Sequence, residues 1–456
     1  MPEQNPIVIH GSGSTARITA LALAAAMADK NIPIWLAPPH QENAQINEPD
    51  THDWTSVLAL SPAAKNMLEL LGVWARLDLP TAPVCDMAVY GDAAAMAHQG
   101  GLDFNPTQNT GNEEPQNEVN VLAHIVSRTS LDRAIQAAFD AAFKTASKTA
   151  GKTAGKTAGK TVGKNANGAL NGQAPALVDF DNTTGRADFA DGTEMTAALL
   201  VDCARMPRAS TAAPPWRQSG AAHWLAHDYD AAALVCAVDS DRPHDGQAVQ
   251  IFLPSGPLAL LPLPDPKKRA LIWSLPQARA TALADIEADI FAHELNQTTQ
   301  GHAGALTADG PRALQKLSLA LAENYVDGHI CLLGEAAHII HPLAGQGFNL
   351  ALRDAAQLAD TLYDAQSLGL ALNGPHALAD YQALRRADGG TMAATTHFLA
   401  EIFSGPQSRF TAPLARLGLA LTGRMARSNK TLAARFRAQA NGGTPPLPRL
   451  MRGRGF

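Results

Sequence analysis

The chain has 456 residues, 46% hydrophobic and 17% charged, enough apolar material for a large core divided over two or three domains. A formal net charge of −6 gives no general attraction to nucleic acid. Cys85, Cys203, Cys236 and Cys331 are widely separated, without the C-x-x-C spacing of a zinc site or the density of a disulfide framework, and fit a reducing cytoplasm. No signal-peptide pattern opens the chain and no run of about 18 apolar residues occurs, so neither export nor a membrane span is expected.

The first element is the short apolar strand IVIH, followed by the turn Gly11-Ser12-Gly13-Ser14-Thr15-Ala16 and a small-residue helix expected from Ile18 to Ala28. This G-x-G-x-x-A between strand and helix is the order of a dinucleotide site: the glycines permit the tight turn, Ala16 allows close packing, and the helix amino terminus faces a pyrophosphate. The second strand, IPIWLA, ends in Ala37-Pro38-Pro39 rather than in the acidic residue that would hold ribose hydroxyls; the nearest carboxylate is Glu42.

Further on, HIVSRTSLDRAIQAAF over residues 124–139 reads as a strand running into a helix that opens near Arg128. Lysines then fall at 144, 148, 152, 156, 160 and 164. A helix there would stack like charges and carry frequent glycines, so residues 144–170 are expected to form a disordered surface loop. The stretch Gly151 to Thr157 reads G-x-x-x-G-K-T, one residue short of a phosphate loop and with no strand before it. Residues 244–275 show alternating apolar positions broken at Gly256-Pro257, a sheet pattern.

The segment GEAAHIIHPLAGQGFNLALRDAA, from Gly334 to Ala356, follows the buried-strand pattern HICLL and precedes a helical apolar spacing. Gly345 and Gly347 allow backbone amides to approach a flat, electron-rich ligand, and a helix expected from near Asn349 adds its positive end.

Residue by residue, this run resembles the G-D-A-A-H-x-x-H-P-x-x-G-Q-G-x-N signature of class A flavoprotein monooxygenases, most closely the ubiquinone-biosynthesis hydroxylases. Arg128 with Leu131 matches their R-x-x-L pattern, and LADYQALRRAD and the tail PPLPRLMRG resemble further family stretches. The resemblance implies an α/β fold of the para-hydroxybenzoate-hydroxylase type: a Rossmann-like FAD-binding domain, an inserted mostly antiparallel substrate sheet and a helical carboxy terminus. The order of the motifs places flavin-domain segments at 1–80, 124–205 and 306–400. Substrate-domain segments are expected at 81–123 and 206–305, and a carboxy-terminal helical region at 401–456.

The implied activity is FAD-dependent hydroxylation of a lipophilic phenol or quinone precursor, with NAD(P)H as electron donor and O2 as oxidant. The implied FAD contacts are Gly11, Gly13, Ala16, Arg128, Glu335, Pro342, Ala344, Gly345, Gln346, Gly347 and Asn349. No catalytic base is assigned; His338 and His341 are expected to fix the loop through hydrogen bonds. Three departures bear on the cofactor: Ser56 replaces an arginine, Val201-Asp202-Cys203-Ala204-Arg205 replaces an A-D-G motif, and Glu335 replaces an aspartate. Losing two charged contacts of roughly 1.5–3 kcal/mol each would weaken flavin binding by about a hundredfold or more. The missing acid after the second strand, Ser56 and the altered Val201–Arg205 segment keep open a second reading, a catalytically silent relative within a quinone-biosynthesis assembly. A flavin-dependent reductase or halogenase on the same scaffold is a third. The six lysines also permit weak peripheral contact with an anionic membrane, about 1 kcal/mol each.

Overall fold

The computed structural model describes residues 5–40, 54–90, 102–103, 121–151, 170–205, 216, 224–308, 310–341, 345–404 and 447–456. Strand Ile7–His10 lies at the centre of a six-stranded sheet. It pairs in parallel with Leu199–Asp202 on one side and Ile34–Ala37 on the other. Ile330–Leu332 and Leu170–Gln173 extend the parallel set, and Val326–Asp327 closes one edge in the antiparallel sense. Ile7–His10 and Leu199–Asp202 are buried at every position, the pattern of parallel strands whose two faces are both covered by other elements.

The helix Ser14–Ala26, with its run of alanines and leucines, packs closely against the helices Arg128–Gly151 and Gln346–Ser367. It starts a turn earlier than the expected Ile18 because Gly13, in extended conformation, serves as its N-cap. The helix Pro62–Leu70 is set by its own chemistry: the Ser61 hydroxyl accepts the Ala64 amide at 3.2 Å and proline fills the first position.

A nine-stranded sheet forms the second layer, antiparallel except where Gln247–Leu253 runs parallel to Asp86–Tyr90. Its longest member, Trp224–Ser240, pairs with both Lys268–Pro276 and Ala313–Ala322. The register breaks between Asp228 and Ala232, where Asp230 adopts φ 48°. Leu283, Phe291 and Leu295 of two short helices cover the sheet core.

Two expectations are corrected. Residues 306–322, assigned from the motif order to the third flavin segment, pair into the substrate sheet through Leu306–Thr307 and Ala313–Ala322. The alternating run ALQKLSLALA is a strand pattern that belongs with its antiparallel neighbour. The lysine run does not begin as a loop: the helix from Arg128 continues through Lys144 and Lys148 to Gly151. KTASKTA contains no glycine, and the first one, Gly151, is where the helix ends. Residues 152–169 lie outside the described residues. The tail Leu447–Phe456 packs on its own protein: Leu450 and Met451 are buried, and Asn66 donates to the Met451 carbonyl at 3.2 Å. Among the described residues, no helix is long and apolar enough to cross a membrane.

Candidate flavin site

The two glycine turns expected to share one ligand open helices that converge. Gly334, at the end of strand Ile330–Leu332, has φ +61°, and a Cβ there would lie 2.8 Å from Thr15 Cγ2 and 3.3 Å from Ala351 Cβ. Thr15 belongs to the first turn of the Ser14 helix and Ala351 to the second turn of the Gln346 helix. Only glycine fits between them. Both helices open without a side-chain cap and without an acidic residue in the first turn. Their positive ends therefore suit an anionic or electron-rich ligand, beside the carboxyl ends of the parallel strands Ile7–His10 and Ile330–Leu332.

Gly11 has φ +142°, and its Cβ would sit 3.2 Å from the Ala16 Cβ, so the strand can turn here only without a side chain. Gly13 is different. Its φ is −82°, open to any residue, yet a Cβ there meets no atom within 4 Å. The open space beside Gly13 is the feature expected of a pyrophosphate approach. The fit to FAD therefore rests on an open glycine, two uncapped helix starts and a cation.

That cation is Arg128. Its Nε lies 2.9 Å from Asp132, and its guanidinium stands over the Phe348 ring. Ser14 donates to the same Asp132 carboxylate, so Asp132 links the first glycine turn to Arg128. The Arg128 amide bonds the carbonyl of Ser56, the position where the family pattern has arginine. Asp132 was not singled out from the sequence, although it stands four residues after Arg128 in a helix, a spacing that pairs opposite charges.

Gly345 caps the second helix with φ +63°. That helix begins at Gln346, not near Asn349, which places Gln346, Gly347 and Asn349 all in its first turn. Asn349 is buried; its side chain accepts the Ser61 amide at 3.0 Å and donates to the Ala59 carbonyl at 2.7 Å. Its amide thus holds strand Val57–Leu60 against the glycine turn. Pro342 and Ala344 lie outside the described residues.

Glu335 pairs loosely with Arg205 at 3.5 Å, both half exposed. Asp202 is fully buried. It bonds His10 at 2.9 Å and the Ala204 amide at 3.1 Å, so it faces inward and leaves the A-D-G position without an outward carboxylate.

Of the two motif histidines, His338 does fix the loop: its Nε2 lies 2.6 Å from Asp354, which also accepts the Gly334 amide at 3.0 Å and Arg385 Nε at 2.6 Å. His341 does not. Its Nδ1 is buried without a hydrogen-bond partner among the described residues, and burial, with a smaller contribution from His397, holds its imidazole down at about 4. The ring is therefore neutral at physiological pH.

Residues 226–390 match the family model described as an FAD binding domain. Over 270 residues the chain is 37% identical to the ubiquinone hydroxylase UbiL of Rhodospirillum rubrum, covering 59% of this chain and 60% of that protein. It is 35% identical over 204 residues to the 3-demethoxyubiquinol 3-hydroxylase of Escherichia coli, covering 42% and 49%. The matches thus span about half to three fifths of these curated relatives. Among solved structures, PqsL of Pseudomonas aeruginosa, a probable FAD-dependent monooxygenase, shares the fold at 18% identity and TM-score 0.62, covering 89% of this chain and 98% of that one. The p-nitrophenol 4-monooxygenase PnpA of Pseudomonas putida shares it at 14% identity and TM-score 0.60, covering 97% and 98%. With the Ser14 and Gln346 helices meeting at Gly334, the chain is similar, through its FAD binding domain and these relatives, to the class A FAD-dependent monooxygenases of the ubiquinone-biosynthesis type.

Proposed function

We propose that the protein is an FAD-dependent monooxygenase that uses NAD(P)H and O2 to hydroxylate the aromatic ring of a lipophilic phenol in ubiquinone biosynthesis. One observation carries the reading: the Ser14 and Gln346 helices, without a side-chain cap or an acidic residue in their first turns, meet at Gly334 through Thr15 and Ala351, and Arg128 stands over Phe348 in the first turn of the second. A silent scaffold has no need of an open Gly13 or of a cation held at that edge. The hydroxylase names of the relatives support the substrate class.

When bound, FAD supplies the hydride acceptance and oxygen activation that no side chain provides. The chain's own residues bind and orient. The helix starts at Gly13–Thr15 and Gly345–Gly347 would stabilise the negative charge of the bound group, and Arg128 would add a cation. Leu319, Ile340, Leu350 and Met392 form a small apolar cluster next to Tyr229 that keeps water from this side of the motif. Asp354 holds the Gly334 turn and His338 in one geometry.

The purified protein should show the visible spectrum of oxidised flavin, or take up FAD with saturable fluorescence quenching. NAD(P)H oxidation should accelerate with a polyprenylated phenol and yield a product heavier by one oxygen. Absence of saturable FAD binding at high protein concentration would overturn the reading.

The lysines from 144 to 164 support a finer statement about location: weak attraction to an anionic bilayer, within a Debye length of about 8 Å. Binding to phosphatidylserine vesicles should fade as salt rises and fall on deletion of residues 152–164. Equal binding by both forms would remove this contact.

A further inference from the structure

Strand Trp224–Ser240 and helix Pro375–Ser404 bring together three side chains that the flavin chemistry does not use. His227 comes from the strand; His397 and Glu401, four residues apart, share one face of the helix. One ligand atom from each lies within 4.8 Å of the others, and His227 Nε2 is 3.8 Å from a Glu401 oxygen. Among the described residues this is the one place where three such groups converge. The Tyr229 hydroxyl lies 3.0 Å from His397 Nδ1. With Nδ1 engaged in that bond, Nε2 is left as the nitrogen that can coordinate, the arrangement in which an outer partner fixes a metal-binding histidine.

We propose that His227, His397 and Glu401 bind a divalent first-row cation of the zinc class, with water completing the coordination. Two imidazoles and a carboxylate are the donor set of sites that keep an open position. Bonds of about 2.0–2.2 Å require ligand atoms about 3.3 Å apart, closer than found here. The side chains of His227 and Glu401 are 44% and 41% exposed, so rotation of both can close the gap. The cation would tie the substrate sheet to the long helix. Tyr229 stacks edge-on against His341 with centroids 5.2 Å apart, so the site stands one side chain from the flavin motif.

The test uses full-length protein without a histidine tag, stripped with a chelator and dialysed against Zn2+. One equivalent should bind with micromolar or tighter affinity. His227→Ala, His397→Ala and Glu401→Gln should each weaken uptake at least about tenfold, and Tyr229→Phe by about 10- to 100-fold. The exposed His293, bonded to Gln297 in its own helix, gives the control: His293→Ala should bind as the parent does. Because His227 and Glu401 are well exposed, their variants keep the fold and decide the matter even if a His397 variant does not. Uptake unchanged in the His227 and Glu401 variants, or no saturable uptake by the parent protein, would overturn the proposal.

Discussion

The Arg128 guanidinium lies 5.4 Å from the centroid of the Phe348 ring, joining the start of one helix to the second glycine turn. Neither this contact nor its half-exposed pair with Asp132 contributes more than about 1 kcal/mol to the fold. The arginine is held over a ring and beside an open edge, where its value is to a ligand. Arg128→Met should therefore leave the unfolding free energy of the apoprotein, from urea titration, within about 1 kcal/mol of the parent. FAD affinity, measured by fluorescence titration, should fall about 10- to 100-fold through the loss of one charge-assisted contact. Unchanged FAD affinity would place the arginine outside the site.

Gly13 and Gly334 separate binding from folding. A side chain at Gly13 meets nothing and strains nothing, so Gly13→Leu should fold normally and fail to bind FAD. At Gly334, φ of +61° and a 2.8 Å approach to Thr15 oppose any side chain. Gly334→Ala should cost about 1–2 kcal/mol from the backbone alone, with the clash added. Thermal melts of both apoproteins beside FAD titrations check the pair. A Gly13→Leu protein that retains FAD would mean that the pyrophosphate lies elsewhere.

The glycine turns were legible because their information is local: a strand, a positive-φ residue and a helix start lie within ten residues at Ile7–Ala16 and again around Gly345. What holds the site together was not. Asp354 gathers Gly334, His338 and Arg385, and nothing at position 354 distinguishes a buried hub from one more acidic residue on a helix. His227 and His397 meet only because a strand and a helix far apart in sequence pack side by side. Strand Ala313–Ala322 shows alternation, but alternation does not say which sheet receives it. The helix from Arg128 runs past Lys144 because the glycines that oppose it begin only at Gly151.

Asn349 should act on stability as well as on the cofactor. Its amide satisfies the Ser61 N–H and the Ala59 carbonyl, both at a buried junction. Asn349→Ala leaves both without a partner, at about 1–3 kcal/mol each. The urea midpoint should drop accordingly and flavin retention with it. Asn349→Asp keeps the acceptor for Ser61 but not the donor to Ala59, and should fall between. A variant as stable as the parent would show that water replaces the side chain.

The pH dependence of the fold turns on Asp354. Burial alone would push its carboxyl up, but His338 and Arg385 outweigh burial and draw it down from 3.8 to about 2. A folded value below the unfolded one means stability that is fully present above about pH 4 and lost as pH falls toward 2. By linkage that loss is on the order of 2 kcal/mol. Since the same carboxylate holds the Gly334 amide, bound flavin should be released over the same window, seen as rising flavin fluorescence. Asp354→Asn leaves the buried Arg385 with Asp388 as its remaining acidic partner, at 2.8 Å. It should cost about 3 kcal/mol or more at neutral pH, and the part of the acid limb that Asp354 supplies should vanish. If melts of parent and variant run parallel between pH 4 and 2, the acid sensitivity belongs to other carboxylates, and Asp354 is a positional anchor whose charge does not matter.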